Sequence, residues 1–133
     1  MKILVYLNFK MNEESLYLES VELLKELISI QSFSFHEENT ATLLENWLNK
    51  NSIPFKRHVN NVYCYNKYYN EEKPNILLNS HHDTVEPNDS YTNDPYEPIV
   101  DQGKLYGLGS NDAGASLVSL LSTFKFFYNC KNL

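Results

Sequence analysis

The chain holds only two cysteines, Cys64 and Cys130, in 133 residues. They lie far apart and in no CxxC or CxxH spacing, so they mark neither a disulfide framework nor a paired-thiol metal motif. Two reduced thiols of a cytosolic protein account for them. Lysine and arginine together number 11 against 17 acids. They form no stripe, and nucleic acid is therefore not an expected partner. Long apolar runs are missing as well. The N-terminal stretch MKILVYLNFKMN offers an apolar run of about five residues, broken by Asn8 and without a small-residue cleavage site; that is too short for export or for crossing a membrane. No membrane partner is expected, and a cytoplasmic location is the default. Internal repeats, low-complexity tracts and interdomain linkers are also absent, which points to one domain with one core.

What is present is globular in character. Apolar residues make up 42% and charged residues 21%, with a net charge of -6 and a pI near 5.1. That acidic balance favours solubility and says little about fold. Asn12 followed by Glu13 and Glu14 reads as a helix start, so residues 1–10 stand apart as an N-terminal extension and Met11 is a candidate true start. Tyr17, Val21, Leu24, Leu27 and Ile28 then recur at helical spacing to about Gln31. Ser34-Phe35-His36-Glu37 has the spacing of a capping box. Thr40, Leu43, Leu44, Trp47 and Leu48 give the second helix an apolar face, and Pro54 prevents its return.

From Phe55 the period shortens. Phe55–Val59 and Val62–Tyr65 read as two strand pieces around a turn or bulge at Asn60-Asn61. Residues 66–74 are polar and loop-like. Asn75-Ile76-Leu77-Leu78-Asn79 is short and apolar, as a strand buried on both faces would be. Glu86 to Glu97 is a long irregular loop, often functional in compact domains. Ile99-Val100 and Leu105-Tyr106 resemble a small hairpin, and an apolar helix follows from Ala115 to about Tyr128. Helices before strands, then strand, loop and helix, predict an α/β fold with a mainly parallel sheet flanked by helices.

The chemistry concentrates where the Ile76-Leu77-Leu78 run ends, in Asn79-Ser80-His81-His82-Asp83-Thr84-Val85. Alternate side chains of an extended segment share a direction, so His81 and Asp83 point together and His82 elsewhere. A metal-bound imidazole usually gives its other ring N–H to a carboxylate, which fixes the tautomer. His81 is therefore assigned as ligand and Asp83 as its orienting partner, with His82 as the weaker alternative ligand. Taken alone the triplet says little, since a surface histidine beside an acid explains most of them. Gly107-Leu108-Gly109-Ser110-Asn111-Asp112 lacks both the GxGxxG spacing and a GK[ST] ending, so it is no phosphate loop. Asp112 would repel phosphate and suit a cation, and a carboxylate there can bridge two metal ions. A plain helix cap for the following helix is the competing role.

These pieces, in this order, resemble the zinc-dependent amidohydrolases and exopeptidases that include acetylornithine deacetylase, succinyl-diaminopimelate desuccinylase, aminoacylase and several carboxypeptidases. Three blocks carry the resemblance. Ser80-His81-His82-Asp83-Thr84-Val85 is similar to the family's small-His-x-Asp-x-Val. Residues 91–98, Tyr-Thr-Asn-Asp-Pro-Tyr-Glu-Pro, are similar to its aromatic-x-x-Asp-Pro-aromatic-x-Pro loop. Residues 103–114 are similar to its Gly-x-Leu-aromatic-Gly-x-Gly-x-x-Asp block, and Ser32 to Glu38 to its turn into the second helix. The resemblance covers nearly everything from Met11 onward.

The resemblance implies a zinc-exopeptidase-like catalytic domain over residues 11–133, incomplete at its C-terminus and without the lid or dimerisation domain. His81 would bind one zinc, Asp83 would act catalytically by orienting it, and Asp112 would bridge two zinc ions, with cobalt or manganese as alternatives. The peptide after Asp112 is often cis in the family. Leu108 stands where many members have arginine, and Ala113-Gly114 replaces a common Met-Lys, departures that touch subfamily more than metal. The family's Glu-Glu pair, a further acidic ligand and a late histidine would lie beyond Leu133. The implied reaction is hydrolysis of an N-acyl amino acid, first choice acetylornithine deacetylase of arginine synthesis, then succinyl-diaminopimelate desuccinylase or a dipeptidase. A small-molecule N-acyl amino acid is the implied partner, and a homodimer is expected only with the missing domain. The chain alone is expected to be inactive, and a non-catalytic truncated product is the competing expectation.

Overall fold

The computed structural model describes residues 2–131, of which residues 2–12 are described by backbone alone. Three helices and two hairpins follow in the order α1 (Lys2–Ile28), α2 (Glu38–Lys50), β1 (Phe55–His58), β2 (Asn61–Cys64), β3 (Ile99–Asp101), β4 (Lys104–Tyr106) and α3 (Ala115–Phe127). The backbone is already helical at Lys2, so Asn12 lies inside α1 and does not start it.

The α1 stripe is rotated slightly from the one expected. Leu16, Leu23, Leu24, Leu27 and Ile28 are buried, whereas Tyr17 is exposed. The core joins Leu23, Leu24, Leu27 and Ile28 of α1 to Leu44, Trp47 and Leu48 of α2, to Ile53, and to Val118 of α3. Each such side chain contributes about 1.5–3 kcal/mol through burial. Leu117, Leu121 and Phe124 pack half-buried on the same cluster.

The α2 helix ends as its sequence dictates. Ser52 takes a left-handed φ of 56°. Its amide donates to Asn49 O at 2.9 Å, and the Ile53 amide donates to Leu48 O at 3.0 Å. Those two bonds are the Schellman pattern, and its usual apolar contact is made by the buried Ile53. A polar clasp then ties the three helices together. The Lys125 ammonium on α3 pairs with Glu19 on α1 and sits 5.7 Å from the Trp47 ring centre on α2. Asn51 donates to the same Glu19 carboxylate at 3.1 Å.

Both predicted hairpins form, and both are antiparallel. Phe55 pairs with Cys64 and His58 with Asn61; Ile99 pairs with Tyr106 and Asp101 with Lys104. Gln102 and Gly103 turn the second hairpin with φ of 48° and 76°, the signature of a type I′ turn.

The mainly parallel sheet is not observed among the described residues. Both sheets are two-stranded, and the one parallel pairing is an isolated bridge between Phe33 and Thr84. The Ile76-Leu77-Leu78 run joins no strand, with Ile76 90% and Leu77 85% exposed. A doubly buried strand needs neighbours on each side, and this segment has none within the described residues.

Candidate metal centre

Two loops build the centre. The first carries residues 79–85 away from the exposed apolar run. It is held at Thr84, whose amide donates to Ser32 O at 2.8 Å. The second is the glycine-rich link from β4 into α3. Here the Leu108 amide donates to Pro95 O at 2.7 Å, and the Gly114 amide to Gly109 O at 2.8 Å. Leu108, noted as a departure from the family's arginine, is buried.

Two glycines let these loops approach. Gly109 has a φ of 73°, and a Cβ there would stand 2.6 Å from Thr84 Cγ2. A Cβ on Gly114 would stand 2.5 Å from Leu24 Cδ1. Neither distance is tolerable for real atoms, so only glycine lets the second loop lie against Thr84 and α1. Ser110–Gly114 is a kinked turn in which Asp112 (φ -119°, ψ 99°) and Ala113 (φ -120°, ψ 27°) leave helical geometry, and the Asp112–Ala113 peptide is cis.

The result brings His81 and Asp112 together. His81 Nε2 is 3.2 Å from Asp112 Oδ1. On its other edge, His81 Nδ1 lies 3.1 Å from Asp83 Oδ1 and 3.2 Å from the Asp83 carbonyl oxygen. All of these partners, Asp112 Oδ1 included, only accept, so a neutral ring can donate its one N–H on either edge, and the Nδ1–H tautomer is the one that leaves the Nε2 lone pair for a cation. Asp112 is 89% exposed, and its carboxylate is open to an arriving cation. Two ligands at about 2.0–2.1 Å from a tetrahedral ion are separated by about 3.3 Å. The His81–Asp112 spacing and the N,O donor pair therefore fit a shared divalent cation such as zinc.

The local charges reinforce this order. Partial burial works to lower the His81 pKa, but the Asp83 carbonyl bond and the Asp83 and Asp112 charges outweigh it and raise it. The Ser34 hydroxyl, against some desolvation and helped by His81, holds the Asp83 carboxyl below its ordinary value.

His82 is excluded as a ligand to the same ion. Its Nδ1 meets Thr40 Oγ1 at 2.8 Å, and its Nε2 donates to the Asn60 carbonyl at 3.0 Å. Ser34 was expected to cap α2, but no side chain caps that helix. Its hydroxyl donates instead to Asp83 Oδ2 at 2.5 Å. Spacing could not announce this contact, because it spans 49 positions. Among the described residues no three His, Cys, Asp or Glu side chains converge on one metal position.

Residues 77–130 match the model of peptidase family M20/M25/M40, a stretch that contains the triplet and the glycine-rich block. That partial match supports a place for the chain among the zinc amidohydrolases and peptidases of this family. It is 26% identical over 110 residues to the succinyl-diaminopimelate desuccinylase of a Nitratiruptor species, covering 81% of this chain and 30% of that protein. The desuccinylase of Wolbachia pipientis subsp. Culex pipiens is 29% identical over 112 residues, covering 79% and 27%. That of Anaplasma marginale is 34% identical over 64 residues, covering 48% and 16%. The chain thus spans under a third of the length of these relatives. Among the described residues no helix is long and apolar enough to cross a membrane.

Proposed function

We propose that this chain supplies part of the metal site of an amide-bond hydrolase, with N-succinyl-diaminopimelate as the favoured substrate. The 3.2 Å approach of His81 Nε2 to Asp112 Oδ1, backed by Asp83, is the observation that carries it. His81 and Asp112 would hold the metal, which when bound acts as a Lewis acid and lowers the pKa of its water. Asp83 keeps the proton on Nδ1, so that Nε2 stays free to ligate. The cis peptide after Asp112 agrees with the family resemblance. The desuccinylase name shared by the relatives displaces acetylornithine deacetylase as first choice, and the link to arginine synthesis goes with it.

Catalytic zinc uses three protein ligands and one open position. Two ligands therefore give this chain weak divalent-metal binding and no turnover alone. Calorimetric titration with Co²⁺ tests this. The chain should bind weakly, and His81→Ala or Asp112→Asn should each reduce affinity at least about tenfold. Tight binding unaffected by both substitutions would overturn the site. Grafting the chain onto the C-terminal remainder of the Nitratiruptor desuccinylase tests the substrate. Release of succinate in preference to acetate supports the assignment; the reverse preference restores the deacetylase.

A further inference from the structure

We propose that Ser34 is a positioning residue that locks the Asp83 carboxylate and thereby sets the tautomer of His81. The inference rests on the metal-holding role of His81. His81 lies between two competing acceptors, Asp83 Oδ1 at 3.1 Å from Nδ1 and Asp112 Oδ1 at 3.2 Å from Nε2. A neutral imidazole has one N–H for these two carboxylates. Ligation through Nε2 requires that the proton stay on Nδ1. A carboxylate bound through one oxygen can still turn about its Cβ–Cγ bond. Ser34 removes that freedom by donating to the second oxygen, Oδ2, at 2.5 Å. That distance is the range of a charge-assisted O–H···O⁻ bond.

The turn that carries Ser34 is itself fixed on both sides of the triplet. The Phe33–Thr84 bridge joins it to the residue after Asp83. The His36 amide closes the turn on Phe33 O at 2.8 Å. Phe35 takes a φ of 73°, and its amide donates to Glu37 Oε1 at 2.6 Å. Glu37 Oε2 accepts from Asn60 Nδ2 at 2.8 Å, and the Asn60 carbonyl accepts from His82 Nε2 at 3.0 Å. The capping-box spacing is thus diverted: Glu37 braces the turn, and Ser34 reaches across to Asp83. With His82 anchored, the orientation of Asp83 is the freedom left in the triplet, and Ser34 takes it.

The test is the imidazole nitrogen spectrum of the metal-free full chain, recorded where His81 is neutral, for the parent, Ser34→Ala, Ser34→Thr and Asp83→Asn. Ser34 is exposed, so Ser34→Ala should keep the parent's amide dispersion. The parent and Ser34→Thr should show His81 mainly as the Nδ1–H tautomer. Ser34→Ala should shift it toward Nε2–H, and its Co²⁺ affinity should fall about 10–100-fold. An unchanged tautomer in Ser34→Ala, with a changed one in Asp83→Asn, overturns the role of Ser34 and leaves the His81–Asp83 pair intact. An unchanged tautomer in both overturns the pairing, and the metal-holding reading with it. Failure of Ser34→Thr to restore the parent spectrum also counts against a hydroxyl-specific role.

Discussion

His81 Nε2 and Asp112 Oδ1 lie 3.2 Å apart although 31 positions separate them in the chain. One side chain comes from the loop that leads to Thr84 and the other from the kinked turn at the head of α3. The two loops meet where Gly109 lacks the Cβ that would strike Thr84, and Gly114 lets the second loop lie against Leu24 of α1.

That packing makes Gly109 a test of the loop. Gly109→Ala places a Cβ against Thr84 Cγ2 at a residue whose φ is 73°. The left-handed conformation costs about 1–2 kcal/mol for an L-residue, and overpacking adds about 1–3 kcal/mol. Denaturant unfolding should show a loss in that combined range, and Co²⁺ affinity should fall as Asp112 is displaced. Unchanged stability would contradict the close approach.

The core prediction concerns Leu48, which is 2% exposed between α1 and α2. Leu48→Ala should cost about 2–5 kcal/mol from lost burial and the residual cavity. Tyr17→Ala, on the exposed face of α1, should stay within about 0.5 kcal/mol. Equal effects at the two positions would show that the α1 stripe is placed wrongly.

The Glu19–Lys125 clasp predicts an acid-limb effect. Burial works to raise the Glu19 pKa, but hydrogen bonds from Lys125 and Asn51 and the charges of Lys125 and Lys50 outweigh it, leaving the value below 4.5. A group lowered on folding stabilises fully above its unfolded pKa, and loses that contribution as pH falls through the folded one. The parent's melting temperature should therefore fall more steeply below about pH 4.5 than that of Glu19→Gln. Parallel pH profiles would remove the clasp from the account.

The two thiols should differ in reactivity. Desolvation raises the Cys64 pKa to about 11, which leaves about 0.1% thiolate at pH 8. Cys130 is exposed. Alkylation followed by mass spectrometry should label Cys130 first and Cys64 slowly. Equal rates would contradict the half-buried position of Cys64.

The residues of α2, both hairpins and α3 announced themselves through local patterns, because each element carries its own period, turn or breaker. The His81–Asp83 pair was legible for the same reason: side chains two apart in an extended segment share a face. The Ile76-Leu77-Leu78 run was misread because composition gives apolarity but not neighbours, and burial requires neighbours. Ser34 was misread because its spacing to Glu37 satisfies a local motif, while its actual partner is Asp83. Tyr17 was misplaced by one position, since a wide apolar stripe leaves the rotation of a helix open until α2 and α3 dock on it.

The most direct measurement is a Zn²⁺ titration of the isotope-labelled chain followed at the His81 ring nitrogens. The account predicts a large change at Nε2 with Nδ1 still protonated, and an affinity at least about tenfold weaker in Asp112→Asn. Zinc binding that leaves Nε2 unmoved, or that ignores the loss of the Asp112 charge, would contradict it.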